Sequence, residues 1–319
     1  MTSELKTRWP VAVLAISAGV AAAAAIGKVP PALELLRREY SLSLVYGGWI
    51  ISIFSALALA TGAGFGTLAD RIGARRMLLA GLWVLAGAGL TAVLVSAPLA
   101  LLLTRALEGA GFLAVAVAAP GIIITASAPQ DRSWSLGLWS VYVPTGVSLA
   151  MVTATLVLDG LGWRGLWIIF TLVSVVLALI GQWLLPRNTQ SFSPGPLRGN
   201  LVATLSRPGP WLLAGSFTAY TLMWISIMAW LPTFLIGQRG MAVASASLLT
   251  AALVAANIPG NLLGTWLLHR RWHGGTIAAL AALIMGLSVF VVFDDHFSDI
   301  LRYGSCLLFS CTGGMLPAA

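Results

Sequence analysis

The sequence predicts an all-α, polytopic membrane protein built as two helical bundles, and three observations carry that prediction. Of the 319 residues, 59% are hydrophobic and only 9% are charged, against roughly 25% charged in a soluble domain. Apolar stretches near the ~20 residues that one helical crossing of a bilayer requires follow one another along the chain, parted by short polar breaks. Lys and Arg sit mainly in those breaks, with a bias between alternate loops. A membrane barrel would show short alternating segments instead.

The predicted spans are 11–33, 43–68, 77–96, 99–124, 136–158, 165–185, 210–236, 245–268 and 275–293, with a tenth opening near 301. The first follows Lys6 and Arg8 and contains the alanine run at 21–25. It continues to Pro30, and many spans follow, so a membrane helix fits better than a cleaved signal peptide. Placing the N-terminus in the cytoplasm puts eleven basic residues inside, Arg71, Arg75, Arg76 and Arg132 among them. The outer loops and the edge of the tenth span then hold five, beside six acids. That excess predicts a multi-pass protein of the plasma (inner) membrane with a cytoplasmic N-terminus.

The net charge of +8 and sequence pI near 10.3 therefore read as topology, and no nucleic-acid partner is expected. Cys306 and Cys311 are five apart and share no helix face, so neither a metal site nor a disulfide follows. His269, His273 and His296 fall in loops, and no metal-ligand cluster or nucleophile elbow appears. The sequence does not read as an enzyme, and no cofactor is expected.

The longest polar break, 186–207, carries three prolines and three arginines. It divides the chain into a six-helix bundle at 1–185, a cytoplasmic linker at 186–209 and a partial second bundle at 210–319. Internal repetition agrees: Gly62 and Gly66 recur as Gly260 and Gly264 at an offset of 198, Pro31 and Pro232 lie 201 apart, and Pro120 and Pro317 lie 197 apart. Two such halves would make a chain of about 400 residues. The present sequence ends inside an apolar segment, so the expectation is a truncated chain with 9 to 10 of 12 spans.

The loop after the second span reads Gly66-Thr-Leu-Ala-Asp70-Arg71-Ile-Gly73-Ala-Arg75-Arg76. Gly62 and Gly66 would admit a second helix backbone, Gly73 would permit the turn, and Asp70 would accept hydrogen bonds from a helix N-terminus or an arginine. The alternative is a solvated basic loop that sets topology. This loop resembles the signature loop of the major facilitator superfamily. The resemblance implies that Gly66, Asp70, Arg71, Gly73, Arg75 and Arg76 gate one side of the protein. The second-half counterpart keeps Gly264, Arg270 and Arg271 but has Leu268 where Asp70 would repeat.

Span four places Arg105 and Glu108 one turn apart in hydrocarbon, where each alone would cost a few kcal/mol. At this spacing they can pair. Arg105 would hold an anionic group of a substrate or respond to protonation of Glu108; the alternative is a structural ion pair. Span four also resembles the superfamily's pattern of an arginine followed by glycines. Lys28, near Pro30 and Pro31, is expected to snorkel to the interface, with a cavity-lining role as the alternative. Tyr142 precedes Pro144 and Gly146, which can interrupt the helical ladder. Tyr220 and Trp224 share a face, as do Asn257 and Asn261, either toward substrate or as glue between helices. Trp9, Trp163, Trp211 and Trp272 stand at span ends and read as interface anchors.

Leu136-Gly-Leu-Trp-Ser140, Ala229-Trp-Leu-Pro-Thr-Phe-Leu-Ile236, Gly313-Gly314 and Pro317 resemble the cyanate permease and nitroimidazole transporter branch. That branch carries an arginine in its first helix, where this chain has alanines. The resemblance implies secondary transport of a small organic molecule or anion by alternating access, with a proton as coupling ion and a monomer in the lipid bilayer. The antiporter pattern of the fifth helix is not reproduced, which favours uptake. The alternatives are a non-transporting remnant and a multidrug or metabolite exporter.

Overall fold

A computed structural model describes residues 6–187, 206–294 and 296–317. Among the described residues every regular element is helical. In chain order these are α1 (Trp9–Gly27), α2 (Val29–Glu39), α3 (Leu44–Ile72), α4 (Ala74–Leu94), α5 (Pro98–Ala126), α6 (Arg132–Ser140), α7 (Tyr142–Leu184), α8 (Pro208–Gly237), α9 (Val243–Ala255), α10 (Asn257–His269), α11 (Gly274–Phe293) and α12 (Asp299–Gly313). Most of the predicted linker at 186–209 lies outside the described residues.

Local chemistry sets the breaks. Lys28 is the joint between α1 and α2, and Pro30 and Pro31 follow it in a first turn where a missing N–H leaves no partner unpaired. The Ser43 hydroxyl accepts from the Tyr46 N–H at 3.1 Å and caps α3. Gly73 turns α3 into α4 with φ 84, a left-handed conformation that glycine adopts without steric penalty. A straight helix as long as α7 would reach about 65 Å, roughly twice the hydrocarbon thickness. Gly162, with φ 62, folds it into two arms. Eight described segments are long and apolar enough to cross a membrane. One of them, Pro129–Leu184, is double.

Contacts at the two ends of the bundle define its faces. At the N-terminal face Arg8 N–H bonds the Ala126 carbonyl at 2.8 Å, and the Thr7 hydroxyl reaches Asp131. At the opposite face Tyr40 donates to the Val95 carbonyl at 2.8 Å, Trp163 Nε1 to Glu39 at 2.7 Å and Arg164 to Glu39 at 2.5 Å. Trp163 is 3% exposed, so this tryptophan is not the interface anchor expected from its place at a span end. Its indole N–H is used inside the protein, whereas Trp9, Trp211 and Trp272 are exposed.

The core falls into three clusters. One gathers Leu14, Leu78, Leu82, Val115 and Ile122 towards the N-terminal face. A second joins Val29, Ile50, Leu101 and Trp167 towards the opposite face. The third crosses between the halves, setting Val147 and Met151 of α7 against Tyr220, Trp224, Leu253, Met285 and Phe309. Outside, large apolar side chains such as Leu156, Trp183 and Phe293 stand exposed, as a lipid-facing surface requires.

Small residues decide how closely helices approach, because lipid gives apolar side chains no drive to associate and close packing takes over. A Cβ at Gly146 would run into the Val20 carbonyl, and one at Gly27 would lie 2.6 Å from the Val147 backbone. The alanines of α1 fill the same seam, Ala22 and Ala23 both at 0% exposure. The glycines of α3 behave differently from the expectation: Gly62 and Gly66 have nothing within 4 Å of a built Cβ. No described helix uses them as a close-approach site.

Gly146→Val is therefore expected to lower the melting temperature in detergent by the equivalent of about 1–3 kcal/mol or more, as overpacking does. Gly87→Ala, with open space around its Cβ, should be neutral or stabilising by up to about 1 kcal/mol. Equal effects of the two would contradict the α1–α7 seam. At the rim, the Arg164 hydrogen bond, joined by Trp163 and opposed by partial burial, holds the Glu39 carboxyl below its usual range. A lowered carboxyl pKa stabilises above the ordinary value and loses that contribution as pH falls through the folded value. The melting-point gap between the native chain and Glu39→Gln should be present at neutral pH and close in acid below about 4.

Candidate functional site

Three ionisable side chains meet inside the first half. Glu108 Oε1 lies 2.5 Å from Lys28 Nζ, and Glu108 Oε2 pairs with Arg105. Lys28 comes from the α1–α2 joint, while Arg105 and Glu108 stand one turn apart on α5. Side-chain exposure is 3% for Lys28 and 1% for the other two. Lys28 therefore does not snorkel: it points inward because Glu108 offers a full counter-charge that the apolar surroundings lack.

Aromatic and backbone groups complete the shell. Lys28 Nζ lies 4.4 Å from the Trp167 ring centroid, the Arg105 guanidinium 5.4 Å from that of Phe54, and Arg105 Nε donates to the Ile50 carbonyl at 3.4 Å. The faces of these rings attract cations, most strongly where water is excluded. With all three groups ionised the cluster holds two positive charges and one negative. A surplus cation in a desolvated site favours any event that supplies a negative charge or redistributes the contacts.

The other candidates form two further groups. Tyr142 stacks on Trp139 with centroids 4.0 Å apart, and Phe112 links Tyr142 to Phe54 at 6.2 Å and 5.0 Å. This aromatic run leads from Arg105 towards α6. In the second half Asn257 Nδ2 donates to Tyr220 Oη at 3.2 Å and to the Ser310 carbonyl at 2.9 Å, while Trp224 Nε1 donates to Ser310 Oγ at 3.2 Å. Asn261 closes the group with a 2.7 Å hydrogen bond to Asn257 Oδ1. These bonds tie α8, α10 and α12 together. They do not reach the Lys28 cluster.

The loop at 66–76 is arranged unlike the expectation for Asp70. Asp70, Arg71 and Arg76 are exposed and make no hydrogen bond or ion pair among the described residues. Arg75 alone is engaged, donating to the Gln182 carbonyl at 2.8 Å and the Leu185 carbonyl at 3.1 Å. It thus caps the C-terminal end of α7, where unpaired carbonyls concentrate negative potential.

Sequence reasoning missed Phe54, Gly89, Trp167 and Thr171. Thr171 and Ser174 are the hydroxyls of the second α7 arm, so a pair of them three apart in an apolar helix was an available signal. Nothing local pointed to Trp167 or Phe54, whose charged partners lie far off in the chain.

Residues 13–319 match the Major Facilitator Superfamily. The chain belongs to that superfamily. Among curated relatives, the puromycin resistance protein pur8 of Streptomyces alboniger is 26% identical over 286 residues, covering 86% of this chain and 53% of that protein. The multidrug efflux pump LfrA of Mycolicibacterium smegmatis is 28% identical over 174 residues, 52% of this chain and 33% of that protein. The chain thus spans about half the length of the first and a third of the second. Among solved structures, a bacterial homologue of the human lysosomal transporter Spinster, inward-facing and unoccupied, superposes with a TM-score of 0.75 at 17% identity, over 98% of this chain and 74% of that one. Its occupied inward-facing form gives 0.75 at 18% identity, over 98% and 73%. These likenesses carry the superfamily fold, not an enzyme fold.

In this superfamily member the charge imbalance orders the effects of substitution. Lys28→Met leaves a neutral Arg105–Glu108 pair and should be the mildest change. Glu108→Gln leaves two buried cations without a counter-charge and should destabilise by about 3–5 kcal/mol. Melting curves in detergent check the order, and a Lys28→Met chain less stable than Glu108→Gln would contradict it.

Proposed function

We propose that this chain works as a proton-coupled secondary transporter of a small organic molecule or anion, with Lys28, Arg105 and Glu108 as the coupling site. The observation that carries the reading is the division of one carboxylate between two cations on separate helices. Protonating Glu108 removes the counter-charge of both at once. Lys28 is the joint below α2, and α2 packs against α8 of the second half. Releasing Lys28 therefore loosens one of the segments through which the halves meet, and a proton biases one of two global states. An anion arriving with that proton leaves the site's total charge unchanged, which avoids a further desolvation penalty.

Tyr142, Tyr220, Trp224 and Asn257 are the substrate-facing set in this reading, with aromatic surface for an organic body and amide groups for its polar parts. Gly66, Asp70, Arg71, Gly73, Arg75 and Arg76 are the gating loop. The basic bias of the loops supports a cytoplasmic N-terminus in the plasma membrane. Uptake rests on the fifth-helix sequence, which lacks the antiporter glycines, and on the resemblance to the cyanate permease and nitroimidazole branch. Export is the second reading, favoured by the relatives named for puromycin resistance and multidrug efflux.

Proteoliposomes holding the chain test this with radiolabelled small anions and puromycin, with and without an imposed proton gradient. Around Glu108 the charged groups are Lys28 and Arg105; α3, α4 and α7 present Phe54, Leu85, Trp167 and Thr171. Glu108→Gln/Lys28→Met keeps the native net charge of the site and removes its titratable carboxyl. Gradient-driven flux should fall about 100-fold or more in this double variant while exchange at equal concentrations persists. Anions accumulating with protons mark uptake, and puromycin leaving against them marks export. Gradient-driven flux unchanged in the double variant would leave the three residues as a structural cluster.

A further inference from the structure

A cavity of about 10 Å³ lies on the N-terminal-face side of Lys28, lined by Ala21, Ala25, Lys28, Glu108, Thr171 and Ser174. That is the room one water molecule needs. Thr171 is 8% exposed, and its Oγ1 has no hydrogen-bond partner among the described residues. Ser174, three residues on, is satisfied in the ordinary helical way, donating to the Phe170 carbonyl at 2.9 Å. Leu85 and Phe170 complete the lining, which is therefore mixed. Buried hydroxyls are paired as a rule, so the free Thr171 hydroxyl at the edge of a cavity that also meets Lys28 and Glu108 marks a ligand position.

Gly89 of α4 sets the place of that hydroxyl. A Cβ built there would overlap Thr171 Oγ1 and come within 3.7 Å of Glu108 Oε1. Thr171 Oγ1 thus occupies room that exists because residue 89 has no side chain, close to the Glu108 carboxylate. Oε1 is also the oxygen that holds Lys28.

We infer that the cavity seats a single water, positioned by the Thr171 hydroxyl for which Gly89 leaves room, that delivers the proton to Glu108. The inference rests on the coupling role of Glu108 proposed above. A hydronium in the seat gives one proton to Glu108 Oε1, leaving water and a neutral carboxylic acid, and the reverse step returns the proton. Because the receiving oxygen is the one that binds Lys28, arrival of the proton and release of Lys28 become one event. Thr171 and Gly89 are positioning residues in this scheme.

The proton itself is the probe. Infrared difference spectra of the full chain in liposomes after a pH jump report the carboxylic C=O stretch, assigned to Glu108 by its loss in Glu108→Gln. Thr171→Val removes the hydroxyl at constant shape, Gly89→Ala displaces it, and Thr171→Ser restores it. In Thr171→Val and Gly89→Ala the stretch should move to higher frequency, as a carboxyl that has lost a hydrogen bond does, and protonation should slow by roughly tenfold. Thr171→Ser should behave as the native chain, which separates the hydroxyl from mere packing. A Glu108 band of native frequency and rate in Thr171→Val overturns the water seat alone. A Glu108 that never protonates in the native chain overturns the coupling reading together with it.

Discussion

Two cations held on one carboxylate, all three side chains no more than 3% exposed, constrain the first half more than any other contact. Glu108 cannot leave Arg105 or Lys28 without leaving a bare charge in a low-dielectric interior. Its position on α5 therefore fixes the α1–α2 joint, and Arg105 in turn reaches back to the Ile50 carbonyl of α3. Three helices are referenced to one side chain. The second arm of α7 closes over them with Trp167, whose ring faces Lys28.

Around that cluster, packing follows the logic of helices in lipid, where small residues set the distance between backbones. The α1–α7 seam uses Gly27, Gly146 and the alanines of α1. The second half uses the same device elsewhere, with a Cβ at Gly260 running into the Cys311 carbonyl of α12. Gly62 and Gly66, the counterparts of Gly260 and Gly264 in the internal repeat, meet nothing in the described structure. The repeat therefore preserves residue type without preserving its neighbour. The polar groups differ in the same manner: the first half concentrates charge, whereas the second concentrates neutral amides and hydroxyls around Asn257 and Ser310. Buried charge thus organises one half and neutral hydrogen bonds the other.

The sequence by itself determined the class of protein, because composition and span length answer directly to the bilayer: backbone groups in hydrocarbon must bond within their own helix. The turn at Gly73 was legible from a residue whose conformational freedom the chain there requires. The Arg105 and Glu108 positions were legible because charge inside a span is rare and expensive. Partnership between distant helices was not legible. Lys28 read as a snorkelling lysine and Trp163 as an anchor, since nothing local shows that Glu108 and Glu39 stand opposite them. Asp70 read as half of a latch, yet the described residues bring it no partner. Nothing in the sequence tied Gly89, a glycine among many, to the Thr171 hydroxyl it makes room for. Periodicity and cost per residue are local quantities, and a single sequence carries them; which distant side chain supplies the counter-charge depends on the packing of whole helices, and only the tertiary structure decided it.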